Sequence, residues 1–440
     1  MSPSFEAEYN APVRKGAAAV LWLLAGCMPA PGPHDGSQGS AGAAPVWILV
    51  KTVLGLVALM ALFWVAAHPK TRRLQARLGV RQGITAGFAF VGLGLVASHP
   101  AVGILTGKVL YDLVPLIHFA LGWLGLIIGF QFDVRVLDRL PRGTAFQIAL
   151  YTLAPFVSVG IVGAVLMLLY GRPWTDATFV RDALVLATAG AIFASGTGDR
   201  PQPRDRLGVG ESDDRNRLGQ LDEIAAIAGL AVLGSFFRPR WVGFQWALPG
   251  SVWLMITLGV GVFAGLLAFA LLSGGRRGAQ FVALVVGSVA LVSGVAGYLM
   301  LPPIVICFIA GAMLVNMPGD HRRRLWSVLT RFERPLYYLF LTLAGALWDV
   351  TDWRGWLLVP AFMLSRAAGY FFADRLAPDP DGIAAELRPR WFAAPMSIVS
   401  IAIVISAQTI YRGPAVPWIV TAVLGSAILV ELIRPARATR

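Results

Sequence analysis

Charged residues are scarce in this sequence. They make up 14% of its 440 residues, whereas hydrophobic residues make up 57% and the mean hydropathy is +0.68. A soluble domain carries about 25% charged residues, so this composition excludes a solvated globular protein. We therefore predict an all-α, polytopic membrane protein.

Cysteine and histidine are also rare. The two cysteines, Cys27 and Cys307, are too few for a disulfide framework or a cysteine metal cluster, and the five histidines lack zinc-binding spacing. The sequence contains no phosphate-binding Gly-Lys-Ser/Thr loop and no serine-nucleophile elbow. It therefore predicts a protein that is not an enzyme and that uses no cofactor and no resident metal ion.

Residues 1–45 form a leader that is separate from the apolar body. The basic pair Arg14-Lys15 precedes a short apolar run that is too brief to span a membrane but long enough for a signal-peptide core. The run ends in Leu24-Ala25-Gly26-Cys27, which resembles the lipobox of bacterial lipoproteins and makes Cys27 a candidate lipidation site. The alternative is a disordered leader. Residues 28–45, rich in Pro, Gly, Ser and Ala, predict a flexible tether.

Hydropathy predicts thirteen membrane spans from residue 46 onwards. Their limits are 46–67, 83–106, 110–132, 145–169, 182–197, 221–237, 245–273, 279–299, 302–317, 335–350, 356–373, 391–410 and 415–433. The fifth, sixth, ninth and tenth are short, which predicts interrupted or tilted helices. Together the spans form one transmembrane domain over residues 46–435, followed by a tail at 436–440.

Basic residues are concentrated on one side of these spans. The loops on that side carry 26 Lys and Arg, and the loops on the other side carry 7. The positive-inside rule places the C-terminus in the cytoplasm and residue 46 outside, which we expect to be the topology in a bacterial inner membrane. Topology thus explains the net charge of +13, and nucleic acid is not an expected partner.

The acid doublet Asp222-Glu223 stands at the head of an apolar run, Ile224–Phe237. Charges at membrane depth are costly and usually mark an ion pathway or a buried partner. Arg366 is a second strong charge deep in an apolar stretch. If a helix begins at Leu221, the alternative is that the doublet only caps it, because acids are favoured at helix N-termini.

Two spans contain small polar residues and backbone breakers. The fifth ends through Ser195, Gly196 and Thr197, and the twelfth begins with Pro395 and Ser397 close together. Short segments interrupted by Gly or Pro in corresponding halves of a chain point to a transporter site. Each one neighbours a span that carries a buried charge.

Three stretches carry a resemblance to a known family. Leu221-Asp222-Glu223-Ile224 is similar to the paired Asp-Asp or Asn-Asp of the monovalent cation/proton antiporter superfamily, which has the sodium/proton exchanger fold. Residues 308–314 (FIAGAML) and 341–349 (LTLAGALWD) resemble that family's Phe-x-Ala-Gly and Phe-x-x-x-Gly-x-x-x-Asp stretches. The resemblance covers roughly residues 46–435.

The resemblance implies an architecture and roles for three residues. Spans one to six and eight to thirteen would be inverted repeats joined by the seventh. Residues 145–237 and 356–433 would form a moving core in which the fifth and twelfth spans cross as broken helices, and the other spans would form a homodimeric scaffold. Glu223 matches the family's essential acid, Asp222 its neighbour, and Arg366 the basic residue before the second broken helix.

The function implied is secondary active transport, the exchange of a monovalent cation (Na⁺ or K⁺) for protons by alternating access. A proton and a dehydrated cation would compete for one carboxylate site, and Arg366, which keeps its proton, would anchor Asp222 or the broken-helix carbonyls. The expected partners are therefore the cation, protons, membrane lipid and a second copy of the chain.

Two departures from the family leave alternatives open. Glu223 replaces the usual aspartate, and residues 199–220 are strongly polar where the family continues its membrane spans. The polar segment favours a transport-inactive membrane sensor or assembly subunit. A sodium-coupled organic-anion transporter of related fold is a further alternative.

Overall fold

Helices account for all regular structure in the part of the chain that the structure describes. The structure is a computed structural model that describes residues 88–134, 144–192, 214–239, 248–274, 278–319, 321–376 and 396–433. Its helices are α1 (Phe88–Ser98), α2 (Gly107–Asp112), α3 (Val114–Phe130), α4 (Thr144–Leu169), α5 (Ala177–Gly190), α6 (Asp214–Phe236), α7 (Gly250–Leu272), α8 (Ala279–Tyr298), α9 (Pro303–Asn316), α10 (His321–Ala346), α11 (Trp353–Leu376), α12 (Ile398–Ile410) and α13 (Val416–Ile433). The all-α prediction is confirmed.

The helices match the predicted spans from the second to the thirteenth. The first span, the leader and the tail lie outside the described residues. Four helices are long and apolar enough to cross a membrane within the described ranges: Ala149–Leu169, Gly250–Leu272, Ala279–Tyr298 and Trp353–Leu376. Large apolar side chains such as Ile161, Met255 and Phe263 are more than half exposed on them, as expected where a helix faces lipid. The chain is a polytopic membrane protein.

Two spans that were predicted to be short belong to long helices. The tenth was predicted to begin at 335, but α10 begins at His321 and continues through Pro335. Its first turns are amphipathic, with basic residues beside the buried Leu325, Val328 and Leu329. Because a hydropathy search detects membrane-spanning segments only, it assigned these turns to a loop. The sixth span likewise belongs to the 23-residue α6.

Some of the predicted spans contain a helix that is too short to cross a membrane on its own. Helices α5, α9 and α12 contain 14, 14 and 13 residues, or about 20 Å each at 1.5 Å per residue. The hydrocarbon core is about 30 Å thick. The fifth and ninth spans were predicted to be short; the twelfth is shorter than predicted, because α12 begins at Ile398 rather than at 391.

Glycines allow several helix pairs to approach at backbone distance. A Cβ added to Gly311 of α9 would lie 2.5 Å from the carbonyl oxygen of Leu126 in α3, and one added to Gly345 of α10 would collide with the carbonyl of Val91 in α1. Gly265 of α7 faces Met313 and Ala310 of α9 in the same way. The glycines in the two family-like stretches therefore have a packing role, as small residues do between membrane helices.

The helices divide into two sets by their contacts. Helices α4, α5, α6, α11, α12 and α13 pack on one another, and α3, α7, α8, α9 and α10 form the second set, with α1 lying on α10. Helix α6 also contacts α7 and α9, and α12 also contacts α3 and α9. The short helices α5 and α12 touch each other in the middle of the first set.

Candidate functional site

The acid doublet lies inside α6, not at its start. Helix α6 begins at Asp214, so Asp222 and Glu223 follow its first residue by more than two turns. The hypothesis that they cap a helix beginning at Leu221 is therefore wrong. Residues 214–220 are polar, but polarity lowers hydropathy without preventing a helix. The Asp222 side chain lies outside the described part of the structure, whereas that of Glu223 is described.

The Glu223 carboxylate contacts the N-cap residue of a second helix. The Ser397 hydroxyl donates a 2.8 Å hydrogen bond to Glu223 Oε1 and accepts one of 3.2 Å from the backbone N–H of Val399. Ser397 is the N-cap of α12 and is buried. The carboxylate thus lies at a helix N-terminus, where the peptide dipoles stabilise negative charge.

Arg366 joins the end of α5 to the residue before α12. Its side chain is 4% exposed. Nη2 donates a 2.8 Å hydrogen bond to the carbonyl oxygen of Ile192, and Nη1 contacts Met396 Sδ at 2.9 Å. The Tyr370 hydroxyl donates to the same Ile192 carbonyl at 3.2 Å, and the Arg366 guanidinium lies 5.4 Å from the Tyr370 ring. Arg366 was expected to anchor either Asp222 or the carbonyls of a broken helix. The structure describes the second of these contacts, with the Ile192 carbonyl at the end of α5.

The remaining predicted site residues lie outside the described ranges. These are Ser195, Gly196, Thr197, Pro395 and the lipidation candidate Cys27. We call the described part the Glu223 site: Glu223, Ser397, Arg366, Ile192 and Met396. It brings together residues of α6, α11 and α12 and the end of α5.

The N-terminal end of α5 holds a second group of buried charges that the sequence did not reveal. Arg181 donates from Nε (2.8 Å) and Nη2 (2.6 Å) to Asp182 Oδ1, and Arg172 Nη2 lies 3.4 Å from Asp182 Oδ2. Asp182 is 1% exposed and Arg181 is 7% exposed. We call Arg172, Arg181, Asp182 and Tyr411 the Asp182 cluster.

Tyr411 connects this cluster to two other helices. The Arg181 guanidinium lies 4.7 Å from the centre of the Tyr411 ring, at the end of α12, and the Tyr411 hydroxyl donates a 3.0 Å hydrogen bond to the carbonyl of Leu233 in α6. Nearby, Asp176 caps α5, and hydrogen bonds from the side chain and backbone of Thr178 lower the pKa of the Asp176 carboxyl. The same three helices, α5, α6 and α12, therefore contribute groups to both the Glu223 site and the Asp182 cluster.

The two groups differ in what they can bind. Two guanidinium groups hold the Asp182 carboxylate, so it is not free to take a cation. Glu223 is held by a neutral hydroxyl at the described contact, and carboxylate and hydroxyl oxygens are the ligands that hard cations prefer. Within the described ranges, His, Cys, Asp and Glu form no group of three or more that would hold a resident metal.

Solved structures of an antiporter resemble this chain. The sodium proton antiporter MjNhaP1 from Methanocaldococcus jannaschii, at pH 8, matches with a TM-score of 0.59 and 15% identity, over 87% of this chain and 99% of that one. An electron-microscopy structure of MjNhaP1 gives a TM-score of 0.53 and 14% identity over 90% and 94% of the two chains. No protein-family profile and no curated protein sequence matches the chain. These likenesses show the fold.

Proposed function

We propose that this protein, which has the fold of the sodium/proton antiporters, exchanges a monovalent cation (Na⁺ or K⁺) for protons across a bacterial inner membrane by alternating access. One observation carries the proposal. The Glu223 carboxylate lies where α12 begins, in the helix set whose two short members, α5 and α12, are joined by Arg366. Acids in such a position mark an ion pathway in membrane proteins.

The proposed chemistry is competition for one carboxylate. A carboxylate with little hydration is most stable when a proton or a cation is bound to it. If the site crosses the membrane only when it is loaded, each cation that moves one way obliges a proton to move the other way. Arg366 keeps its charge throughout, which favours one proton per cation and an electroneutral exchange.

The proposed moving part is the first helix set, α4, α5, α6, α11, α12 and α13. The proposed scaffold is the second set, which would also form a homodimer. The packing supports this division, because each set makes most of its contacts within itself. Contacts between the sets are made mainly by α6 and α12, the helices that carry the Glu223 site.

The proposed orientation has residue 46 outside and the C-terminus in the cytoplasm. It places the Glu223 site toward the cytoplasm and the Asp182 cluster toward the outside. Reporter fusions at residues 205 and 440 should both be cytoplasmic, and a periplasmic signal at 440 would refute the thirteen-span topology.

Intact-protein mass spectrometry tests lipidation at Cys27: the mature chain should begin there with an added acyl mass, and a chain that retains residues 1–26 would exclude it.

The experiment that tests the function uses purified protein in liposomes with an acidic interior and a pH-sensitive dye. Adding Na⁺ or K⁺ outside should dissipate the pH gradient, with Li⁺ as a third cation for selectivity. Liposomes without protein give the leak rate, and a proton ionophore gives the full signal. Dissipation at the leak rate with all three cations would overturn the proposed exchange.

The second candidate is a transport-inactive membrane sensor or assembly subunit. The polar turns at the start of α6, residues 214–220, favour it because they bring polar surface to within one residue of the acid doublet. An absence of exchange, in protein that is folded and correctly inserted, would favour this candidate over the first. Residues 199–220 would then be the first segment to test for a partner.

A further inference from the structure

The first fourteen residues of α10 form a strongly basic segment. Residues 321–334 contain five arginines and one acid, Glu333, and the first turn of the helix, all of it within the described residues, contains no acid. Arginines at a helix N-terminus are unfavourable, because the peptide dipoles leave partial positive charge there. The positive-inside rule accounts for basic residues on one side of the membrane, but it does not require them to lie in an ordered helix.

Packing against α3 fixes which face of this segment is buried. The Trp326 ring stacks on the Phe130 ring with the centroids 6.1 Å apart, and the Phe332 and Trp123 rings meet edge to face at 5.9 Å. Three buried aliphatic side chains lie on the same side of α10: Leu325, Val328 and Leu329. At about 100° per residue, these five residues of α10 cover an arc of about 160°.

Four arginines share the opposite face, within about 100° of one another around the helix axis. We call them the basic face: Arg323, Arg324, Arg331 and Arg334. Arg323 and Arg331 are exposed, and the other two are partly exposed. The remaining charges of the segment lie on the buried side. Arg322 forms an ion pair of 2.7 Å with Asp133 at the end of α3, and Glu333 lies about 80° or more from each arginine of the basic face.

The length of α10 places the basic face at a membrane surface. The helix has 26 residues and is about 39 Å long, whereas the hydrocarbon core is about 30 Å thick. If Ala346 lies at one edge of the core, Arg323 and Arg324 emerge at the other edge, and Arg331 and Arg334 lie about 6 and 10 Å inside it. Long arginine side chains extend along the protein to keep their charge at the interface. All four guanidinium groups can therefore reach the layer that holds the lipid phosphates.

We propose that the basic face of α10 is a binding surface for anionic phospholipids and that its guanidinium groups contact the headgroup phosphates. A guanidinium group can bind a phosphate through two parallel hydrogen bonds. Clusters of basic residues on an amphipathic helix at a membrane surface attract anionic lipid. The proposed orientation puts this surface in the cytoplasmic leaflet and on the proposed scaffold.

Two features favour a lipid over a soluble partner. Arg331 and Arg334 lie below the edge of the hydrocarbon core, where a phosphate that belongs to the membrane is within reach and a nucleic acid or a soluble acidic protein is not. These two arginines are also neighbours at a spacing of three residues, at which like charges destabilise a helix. A bound phosphate between them would offset that repulsion.

The test is native mass spectrometry of the purified full-length protein in a neutral detergent, titrated with phosphatidylglycerol or with phosphatidylcholine. The wild type should retain phosphatidylglycerol at lower lipid concentrations. The double variant Arg323→Gln/Arg331→Gln removes the two exposed charges of the basic face. It should weaken the apparent affinity for phosphatidylglycerol about 30-fold, given the usual contribution of each arginine at an anionic membrane surface. Lys108→Gln/Arg375→Gln is the matched control, because it removes two exposed positive charges outside α10 and should bind as the wild type does.

The other outcomes would overturn the proposal. Equal retention of the two lipids would show that the surface does not select anionic headgroups. An equal loss in the control variant would show that net charge, rather than the basic face, attracts the lipid. Displacement of phosphatidylglycerol by inorganic phosphate would show that the surface takes soluble anions. A dimer that dissociates in the double variant without added lipid would assign the face to a second copy of the chain.

A single variant keeps the test decisive if the double variant does not fold. Arg323→Gln alone should weaken the apparent affinity about fivefold, and an unchanged affinity would refute the role of this arginine. Lipid binding is measured without a cation gradient, so the result does not depend on whether the protein exchanges cations.

Discussion

The Glu223 site and the Asp182 cluster are each built around an acid, Asp182 buried and Glu223 partly buried, and the contacts that the structure describes for the two acids differ. Two arginines hold Asp182, one of them through two hydrogen bonds to the same oxygen. Glu223 receives a hydrogen bond from the neutral hydroxyl of Ser397, while the nearby Arg366 donates to a backbone carbonyl and contacts a methionine sulfur.

Under the proposed function, this difference distinguishes a structural charge, Asp182, from the charge proposed to exchange, Glu223. An acid that is neutralised by fixed arginines gains little from a proton or a cation, and removing it leaves buried guanidinium charge uncompensated. An acid that is held by a hydroxyl can exchange one cation for another without breaking an ion pair at that contact. We therefore expect Asp182 to matter for stability and Glu223 to matter for exchange.

The largest expected effect is on exchange, from Glu223→Gln. The amide oxygen can still accept from Ser397, so the free energy of unfolding should change by less than about 1 kcal/mol. The charge that competes for proton and cation is lost, so cation-driven dissipation of the pH gradient should fall to the leak rate. Liposome exchange and the thermal midpoint in detergent measure the two quantities on the same sample.

Two milder variants test whether exchange depends on the carboxylate at position 223 in particular. Glu223→Asp shortens the reach by one methylene and should retain some activity, because the carboxylate remains. Asp222→Asn should be milder than Glu223→Gln, because the resembling family also has asparagine at the corresponding position. Wild-type exchange that is unchanged in Glu223→Gln would place the site elsewhere.

The sequence located Glu223 because an acid in an apolar run is conspicuous. It identified Arg366 for the same reason, as a charge in an apolar run. It identified Ser397 because this small polar residue lies next to the helix breaker Pro395. It did not show that Glu223 and Ser397 meet, because the two residues are 174 positions apart in the sequence and their distance depends on how α6 packs against α12. It also misplaced the start of α6, since hydropathy does not distinguish a polar helical turn from a loop.

The second-largest effect is expected on stability, from Asp182→Asn. The variant removes the negative charge between Arg181 and Arg172 while it keeps the shape of the side chain. Breaking a buried ion pair by removing one partner costs about 3–5 kcal/mol, so the thermal midpoint should fall far more than in Glu223→Gln. A midpoint equal to that of Glu223→Gln would mean that Asp182 contributes no more to stability than Glu223 does.

The sequence analysis missed the Asp182 cluster because it placed the start of the fifth span too late in the sequence. The fifth span was predicted to begin at 182, which put Arg181 in a loop and Asp182 at an interface. In the structure α5 begins at Ala177, so both residues lie within the helix and are buried. Arg181 is thus a second buried basic residue, beside Arg366, in this helix set. A charged doublet followed by an apolar run was the available signal, the same pattern as Asp222-Glu223.

The third prediction concerns Arg366→Ala. The variant removes the donor to the Ile192 carbonyl, although the Tyr370 hydroxyl remains as a second donor. A hydrogen bond from a charged group contributes about 1.5–3 kcal/mol, so we expect a loss of about 2–3 kcal/mol, smaller than that of Asp182→Asn. Arg366→Lys keeps the charge but has no fork to reach both Ile192 and Met396, and it should recover only part of the loss. An unchanged midpoint in Arg366→Ala would show that this contact does not hold the end of α5.

The smallest effect is expected from Tyr411→Phe, which removes the hydroxyl that joins the end of α12 to α6. The ring stays under the Arg181 guanidinium, but the hydrogen bond to the Leu233 carbonyl is lost. A typical intramolecular hydrogen bond contributes about 1 kcal/mol, so the midpoint should fall slightly. Tyr170→Phe is the matched control, because the Tyr170 hydroxyl donates to the carbonyl of Arg354 at 3.3 Å, outside the contact between α6 and α12. If α12 is positioned on α6 by Tyr411, only Tyr411→Phe should also raise the cation concentration needed for half-maximal exchange. Equal exchange in the two variants would leave the Tyr411 hydroxyl with a stabilising role alone.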